Sequence, residues 1–295
     1  MTGTDVGQLG VWYFTEAMPS AAAAGFAQRL EGLGYSTLWL PETTGRNPLI
    51  HAGFLLQQTS SLVLATGIAN IYHRHPAMAA QSANTLAEQS GGRFVLGLGV
   101  SHAPLVSGLR KIEYGKPVTT MRAYLESYAE APYSSVPPAQ KAPVVIAALG
   151  PKMLDLAGEL THGAHPYLTT PEHTAKAREI LGPDKWLCVE QKVILCTDPE
   201  KARKAARETL AVYIGLPNYY KNWFRLGFEE SDLEDGGSDR LIDALFAWGD
   251  EQALRARVQA HFDAGASHVC LQPVGVDAPM GTPDWDVLEA LAPNA

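Results

Sequence analysis

Cysteine is scarce in this chain, three residues in 295. Cys188, Cys196 and Cys270 all fall in apolar runs without metal-ligand spacing, which excludes a disulfide framework and a thiolate metal centre and leaves buried filler as their reading. A basic excess is also missing. The 23 Lys and Arg stand against 31 Asp and Glu, a net charge of −8, so there is no global electrostatic footprint for nucleic acid. No apolar run nears the ~20 residues of a membrane span, and the opening MTGTDVGQLG has neither a basic nor an apolar region. A cytoplasmic protein with no membrane partner is therefore expected. Linkers, repeats and low-complexity stretches are absent as well, so residues 1–295 read as one domain, long for an ordinary domain but usual for an α/β barrel.

What is present is apolar and periodic. Hydrophobic residues make up 46% of the chain and charged ones only 18%, enough for a large core. Eight short runs read as strands: Leu9–Tyr13, Thr37–Leu40, Leu62–Thr66, Phe94–Leu98, Val144–Ala147, Gly163–Tyr167, Cys188–Cys196 and His268–Gln272. Most are continuous rather than alternating, the pattern of strands buried on both faces. Helical patterns at Ala21–Leu33, Pro48–Gln58, Pro76–Ser90, Pro151–Leu160, Pro171–Leu181, Pro199–Val212 and Glu251–Ala264 lie between them. Strands and helices interleaved in this way predict an α/β chain folded as a (β/α)8 TIM barrel. The connection between the seventh and eighth strands is the longest and predicts a helical insertion over residues 215–248. Its NYYKNWFRLGF stretch reads as an amphipathic helix covering the barrel mouth or a partner subunit, and its EESDLEDGGSD run as solvated surface.

In such a barrel the chemistry lies at the carboxyl ends of the strands. There the chain presents Trp12-Tyr13-Phe14, Pro41-Glu42, Gly67 to His75, Gly97 to His102, Ala148 to Lys152, Tyr167 to Thr170, and Gln272-Pro273. This mouth is aromatic and hydrogen-bonding with one clear carboxylate, a composition suited to a large planar ligand. Gly97–His102 falls short of a dinucleotide fingerprint, because His102 stands at the third glycine position and Pro104 follows where a helix would run. His73, His75 and His102 lack an accompanying carboxylate or cysteine spacing, so no metal is expected. His102 is the candidate for proton transfer, since an imidazole titrates near neutrality. Glu42, directly after an apolar strand, is either structural or the second candidate. Gly150-Pro151-Lys152 opens a helix and forms either an anion site or a plain helix start. No lysine or paired carboxylates are expected to end the central strands, which argues against a non-redox barrel enzyme.

These residues together resemble the luciferase-like monooxygenase superfamily and, within it, the coenzyme F420-dependent oxidoreductases of actinobacteria. The matching pieces are LGVWYF, LWLPET, ATGIANIYHRHPA, SGGRFVLGLGVSHAP, ALGPKMLDLAGELTHGAHPY and GASHVCLQPV, collinear over nearly the whole chain. The resemblance implies a tricyclic cofactor, F420 or alternatively FMN, lying across the mouth. It also implies a bulge after the third strand, with a non-prolyl cis peptide in many members, which here falls at Gly67–Ile68 with Asn70 beside it. It further implies ring contact from Glu42, hydrogen bonding near His102, main-chain contacts from Ala148, Leu149 and Gly150, and a phosphate-bearing tail near Lys152, Thr169 and Thr170. Tyr72 joins the cofactor contacts. With Trp12, Tyr219 and Trp223 it shapes the substrate pocket. The expected activity is hydride transfer between deazaflavin C5 and a small organic substrate, in a homodimer. An FMN-dependent monooxygenase and a cofactor-free barrel with a binding role are the alternatives.

Overall fold

The computed structural model describes residues 4–276 and 282–294. In chain order the elements are β1 (Leu9–Trp12), α1 (Ser20–Gly32), β2 (Thr37–Leu40), α2 (Pro48–Leu56), β3 (Val63–Thr66), β4 (Ala69–Asn70), α3 (Pro76–Ser90), β5 (Phe94–Gly99), α4 (Pro117–Ala129), β6 (Val144–Ile146), α5 (Pro151–Leu160), β7 (Gly163–Ala164), α6 (Pro171–Leu181) and β8 (Trp186–Leu195). They continue with α7 (Pro199–Leu210), α8 (Pro217–Arg225), α9 (Asp239–Leu245), β9 (Phe246–Gly249), α10 (Glu251–Asp263), β10 (His268–Pro273) and α11 (Trp285–Ala290). Parallel pairing runs β1-β2-β3-β5-β6-β7-β8-β10 and returns from β10 to β1, closing an eight-stranded barrel. The (β/α)8 architecture read from the sequence is the observed one.

Continuous apolar runs became strands because both faces are covered. Every residue of β2, β3 and β5 is buried, with helices outside and the facing strands inside. Helix α3 shows how a layer is fitted. Pro76 occupies its first turn, and Gly91 ends it in the left-handed region at φ 65°. Its small-residue stripe, Ala79, Ala83, Leu86 and Ser90, is buried.

Two strands were not anticipated. β4 continues β3 beyond an interruption, and β9 pairs with the far end of β8, outside the closed barrel. β5 runs one residue beyond the expected Phe94–Leu98, so that Gly99 as well as Gly97 lies within it. A Cβ on Gly97 would stand 1.8 Å from the Thr66 carbonyl oxygen, so the glycine permits close strand approach. The sixth barrel strand is shorter than expected, Gly163–Ala164. Residues 165–170 leave it as an irregular, mostly buried loop at the carboxyl end of the strand. Between α7 and β9 lie α8, a 3-10 segment (Glu230–Gly236) and α9. In that segment Asp232 is buried and takes bonds from Ser238 Oγ and Arg240 Nη1, so the acidic run is not all solvated surface. Among the described residues no helix is long and apolar enough to cross a membrane.

Candidate active site

The register of β3, β4 and β5 locates an irregular stretch of backbone. Ala65 opposes Val95, and Ala69 opposes Leu98, so residues 66–68 face only residues 96–97. One extra residue is a β-bulge. Within it the Gly67–Ile68 peptide is cis. Thr66 Oγ1 takes over the missing ladder contacts, donating to Gly97 O (2.7 Å) and accepting from Gly97 N (2.9 Å). From below, Trp12 Nε1 donates to Gly67 O at 2.7 Å. Ile68 is half-buried between buried neighbours, with its side chain laid over Gly99 and toward Ala147.

Glu42 is committed to holding this bulge. Arg74 reaches both of its oxygens (Nη1 to Oε2 2.9 Å, Nη2 to Oε1 2.5 Å), and the Asn70 amide donates to Oε2 at 2.6 Å. His73 Nδ1 lies 3.3 Å from Oε1. The expected ring-contacting or proton-carrying carboxylate is thus a buckle, because a fork-shaped guanidinium and a backbone N–H already fill its lone pairs. Glu42→Gln should destabilise the fold by about 3 kcal/mol by stranding a charge that is 8% exposed. Thermal unfolding measures this, and the double change Glu42→Gln with Arg74→Met should recover part of the loss. Unchanged melting with lost turnover would instead make Glu42 a proton carrier.

Asn70 is fully buried. Its Oδ1 accepts from Tyr72 N (3.0 Å), and its Nδ2 meets His73 Nε2 at 3.3 Å. Its side chain shapes the loop and is not free for a ring. His75 Nδ1 caps α3 through Ala77 N. Tyr72 is half-buried, packs on Tyr114 with ring centres 5.4 Å apart, and accepts from Gly115 N at its hydroxyl (3.0 Å). That contact ties the loop after β5 to the bulge.

Of the expected pocket aromatics, Trp12 is 3% exposed and Trp223 is 0% exposed. Trp12 supports the bulge and packs against Tyr167 at 5.1 Å. Trp223 anchors α8 by donating from Nε1 to Leu168 O (3.1 Å). Tyr219, also buried, stands between Tyr213 and His102, 5.5 Å from each ring. The aromatic stretch does form a helix over the mouth, but its large rings face inward as packing. His102 is the group left accessible. It is half-buried, with Nδ1 3.0 Å from Asn218 Oδ1 on α8. Because that oxygen only accepts, Nδ1 carries the hydrogen and Nε2 keeps its lone pair. Burial lowers its pKa below the ordinary 6.5, and the Asn218 bond opposes this.

Sequence reasoning missed a buried pair on β8, the seventh barrel strand. Cys188 and Cys270 lie in the barrel interior cluster, and strand alternation puts Glu190 and Lys192 on the same face as Cys188. Lys192 Nζ and Glu190 Oε1 are 3.0 Å apart at 0% and 1% exposure. The ammonium lies 3.7 Å from the Tyr167 ring centre, and Glu190 Oε2 accepts from Leu168 N at 3.0 Å. Burial pushes Lys192 down to about 8 while Glu190 pulls it up. A lysine does therefore stand near the end of a central strand, contrary to expectation. It is spent on Glu190 and on the Tyr167-Leu168 loop. The signal was the alternation Cys-x-Glu-x-Lys inside an otherwise apolar run.

At the rim, Ala148 is buried, Leu149 and Gly150 are half-buried and Lys152 is exposed. Gly150 precedes α5 without a side-chain cap. Leu149 O accepts from His173 Nε2 at 2.8 Å. Thr169 is 1% exposed, and its Oγ1 has no partner among the described residues. Thr170 Oγ1 caps α6 by accepting from His173 N at 3.4 Å. A cavity of about 510 Å3 opens at the opposite, amino-terminal rim beside Gln8, Gly34 and Arg255, remote from all of these groups.

A profile of the luciferase-like monooxygenase family matches residues 5–268. The chain belongs to this family. It is thus an oxidoreductase of the luciferase-like class, as the sequence resemblance implied. It is 26% identical to a 5,10-methylenetetrahydromethanopterin reductase of Methanolobus tindarius, covering 89% of this chain and 93% of that protein. In fold it is similar to an F420-dependent secondary alcohol dehydrogenase in complex with an F420-acetone adduct (TM-score 0.78, 16% identity, 98% and 99% of the two chains). It is also similar to the FMN-bound oxygenating constituent of 3,6-diketocamphane monooxygenase from Pseudomonas putida (TM-score 0.70, 16% identity, 98% of each chain).

Proposed function

We propose that this protein is an F420-dependent oxidoreductase that transfers a hydride between the deazaflavin C5 and a small organic substrate. The observation that carries the proposal is the bulge at residues 66–70. It is supported from below by Trp12, buckled from outside by Glu42 and Arg74, and presents the half-buried Ile68 at the mouth. The residues present fit such a group, since a planar apolar ring needs a firm apolar backstop and its polar tail needs hydrogen-bond partners. The buried, unpartnered Thr169 Oγ1 is one such group waiting at the rim. Gly67 and Ile68 would back the ring. The main chain of Ala148, Leu149 and Gly150 would border it, and Lys152, Thr169 and Thr170 would face the tail. When bound, the deazaflavin supplies two-electron hydride chemistry. The chain orients the ring and keeps water from it. His102, held neutral by burial and fixed in tautomer by Asn218, takes a proton at Nε2 from a substrate hydroxyl and returns it in the reverse direction.

The deciding experiment adds F420 and FMN separately to the purified protein and follows fluorescence quenching. F420 binding in preference to FMN is expected. Tight FMN binding without F420 would make the protein an FMN-dependent monooxygenase, the reading favoured by the fold's likeness to the FMN-bound enzyme. Binding of neither would favour a cofactor-free barrel. The same preparation, sized by light scattering, should be a homodimer, in keeping with the exposed apolar side chains of Ile50 on α2 and Met78 on α3.

A further inference from the structure

We propose that α8 completes a phosphate-binding site in which Arg225 supplies the charge and Asn222 and Thr169 supply hydrogen bonds, so that one helix both covers the mouth and holds the anionic part of the ligand. This rests on the deazaflavin reading and adds to it two residues from outside the barrel strands and their loops.

The first observation is electrostatic. The Arg225 guanidinium lies over Gly150: a Cβ built on that glycine would be 3.5 and 3.6 Å from its two terminal nitrogens. Gly150 precedes the ten-residue α5, so a full positive charge stands at the positive end of a helix dipole. Such a placement is repulsive by itself and becomes favourable when an anion lies between the two. Lys176 Nζ reaches the Arg225 carbonyl at 3.5 Å, adding a second cation, and the exposed Lys152 is a third. Among the described residues neither Arg225 nor Lys176 forms a side-chain ion pair with a carboxylate. The nearby carboxylate is Glu172, held chiefly by Thr170 and drawn also toward Arg257 and Lys176. Local charge is positive in a chain whose net charge is −8.

The second observation is independent of charge. Thr169 Oγ1, Asn222 Nδ2 and His173 Nδ1 are buried without a hydrogen-bond partner, in residues 1%, 2% and 3% exposed. A buried polar group left unpaired costs about 1–3 kcal/mol, so three such groups in one neighbourhood point to a polar ligand. They belong to the elements that meet there. Asn222 lies one turn before Arg225 on α8 and next to Trp223, whose ring bonds Leu168 O beside Thr169. His173 bonds Leu149 O beside Gly150. Phosphate oxygens accept from an amide N–H, a hydroxyl and a guanidinium alike. With Nε2–H donating to Leu149 O, His173 Nδ1 is an acceptor and suits a hydroxyl of the ligand rather than its phosphate oxygens.

A phosphate ester of the cofactor and one of the substrate share this chemistry, and the test separates them. Binding of F420 is compared with that of its deazariboflavin fragment, which has the ring and ribityl chain but no phosphate. FMN is compared with riboflavin in the same way, and inorganic phosphate is tested alone. In the unaltered protein the phosphorylated member should bind at least tenfold more tightly than its phosphate-free counterpart, and only its affinity should weaken as salt is raised. Arg225→Ala should remove that advantage while leaving the phosphate-free counterpart's affinity unchanged, and Arg225→Lys should restore part of it. Inorganic phosphate should raise the melting temperature of the unaltered protein and not of Arg225→Ala. If phosphate does this but phosphorylated and phosphate-free rings bind alike, the site takes a substrate phosphate. Equal loss for both ring forms, or no change in either F420 affinity or the phosphate-induced melting shift, would overturn the assignment. Should the deazaflavin reading fail and FMN bind instead, the FMN and riboflavin pair carries the same comparison.

Discussion

Gly67→Ala should abolish tight deazaflavin binding and destabilise the fold. A Cβ at this position would stand 2.7 Å from Trp12 Nε1, 2.9 Å from Trp12 Cδ1 and 3.1 Å from His165 Nε2. Neither ring can move aside. Trp12 is fixed by its bond to Gly67 O and by packing against Phe14 and Tyr167. His165 is stacked on Trp39 at 4.4 Å and bonded through Nδ1 to Cys188 O at 2.8 Å. Overpacking a rigid interior costs about 1–3 kcal/mol. The strain is relieved most readily by lifting the bulge, and that displaces Ile68 from the mouth. A fall in melting temperature together with at least a tenfold loss of F420 affinity, read by fluorescence quenching, is therefore expected. Gly25→Ala, where an added Cβ meets nothing within 4 Å, is the control and should change neither. Destabilisation with unaltered F420 affinity would place the ring away from the bulge.

The fold was legible because the barrel buries its strands on both faces. Runs such as Val63–Thr66 and Phe94–Gly99 then carry an unbroken apolar signal, and prolines at the first turns of α2, α3, α5, α6 and α7 mark where each helix starts. The site was legible only in part. A bulge could be placed after the third strand because glycine and a resemblance both pointed there. What the exposed-looking polar residues do once folded was hidden, because it depends on partners distant in sequence. Glu42 looked free until Arg74 was brought to it. Trp12 looked like a pocket wall until its ring N–H met Gly67 O. Lys192 was concealed in the opposite way. Burial of a lysine is unfavourable without a partner, and the partner, Glu190 two residues away on the same strand face, is invisible to a search for apolar runs. Arg225 and Asn222 belong to a stretch whose aromatic residues drew attention first, although its polar side chains meet the rim.

The interior histidines make the protein acid-labile well above the pH at which its carboxylates protonate. His165, His261 and His268 are almost fully buried. Burial lowers His165 and His268 to about 4 and His261 to about 3, with Arg257 adding to the effect at His261. Each binds its proton less readily in the folded chain than in the unfolded one, where 6.5 is the ordinary value. Unfolding therefore takes up protons between pH 6.5 and the folded-state values. Stability is full above pH 6.5 and falls as the pH drops through this window, levelling off only below about 4 for His165 and His268 and about 3 for His261. At ~1.4 kcal/mol per pH unit of difference, the three together represent on the order of 10 kcal/mol, comparable with the whole stability of a typical domain. Melting followed by circular dichroism should thus show a steep fall in the midpoint beginning near pH 6, before carboxylates with ordinary or lowered pKa values contribute. His261→Gln should make the slope shallower, the rest coming from His165, His268 and His51, the last also lowered by burial to about 4. Glutamine keeps a hydrogen-bonding group where the imidazole now joins Thr174 Oγ1 (2.8 Å) and Gln191 Oε1 (2.9 Å), yet it has no proton to gain. A midpoint that stays flat from pH 7 to 5 would show that these imidazoles reach solvent in the native state, contrary to the packing around Trp39 and β8.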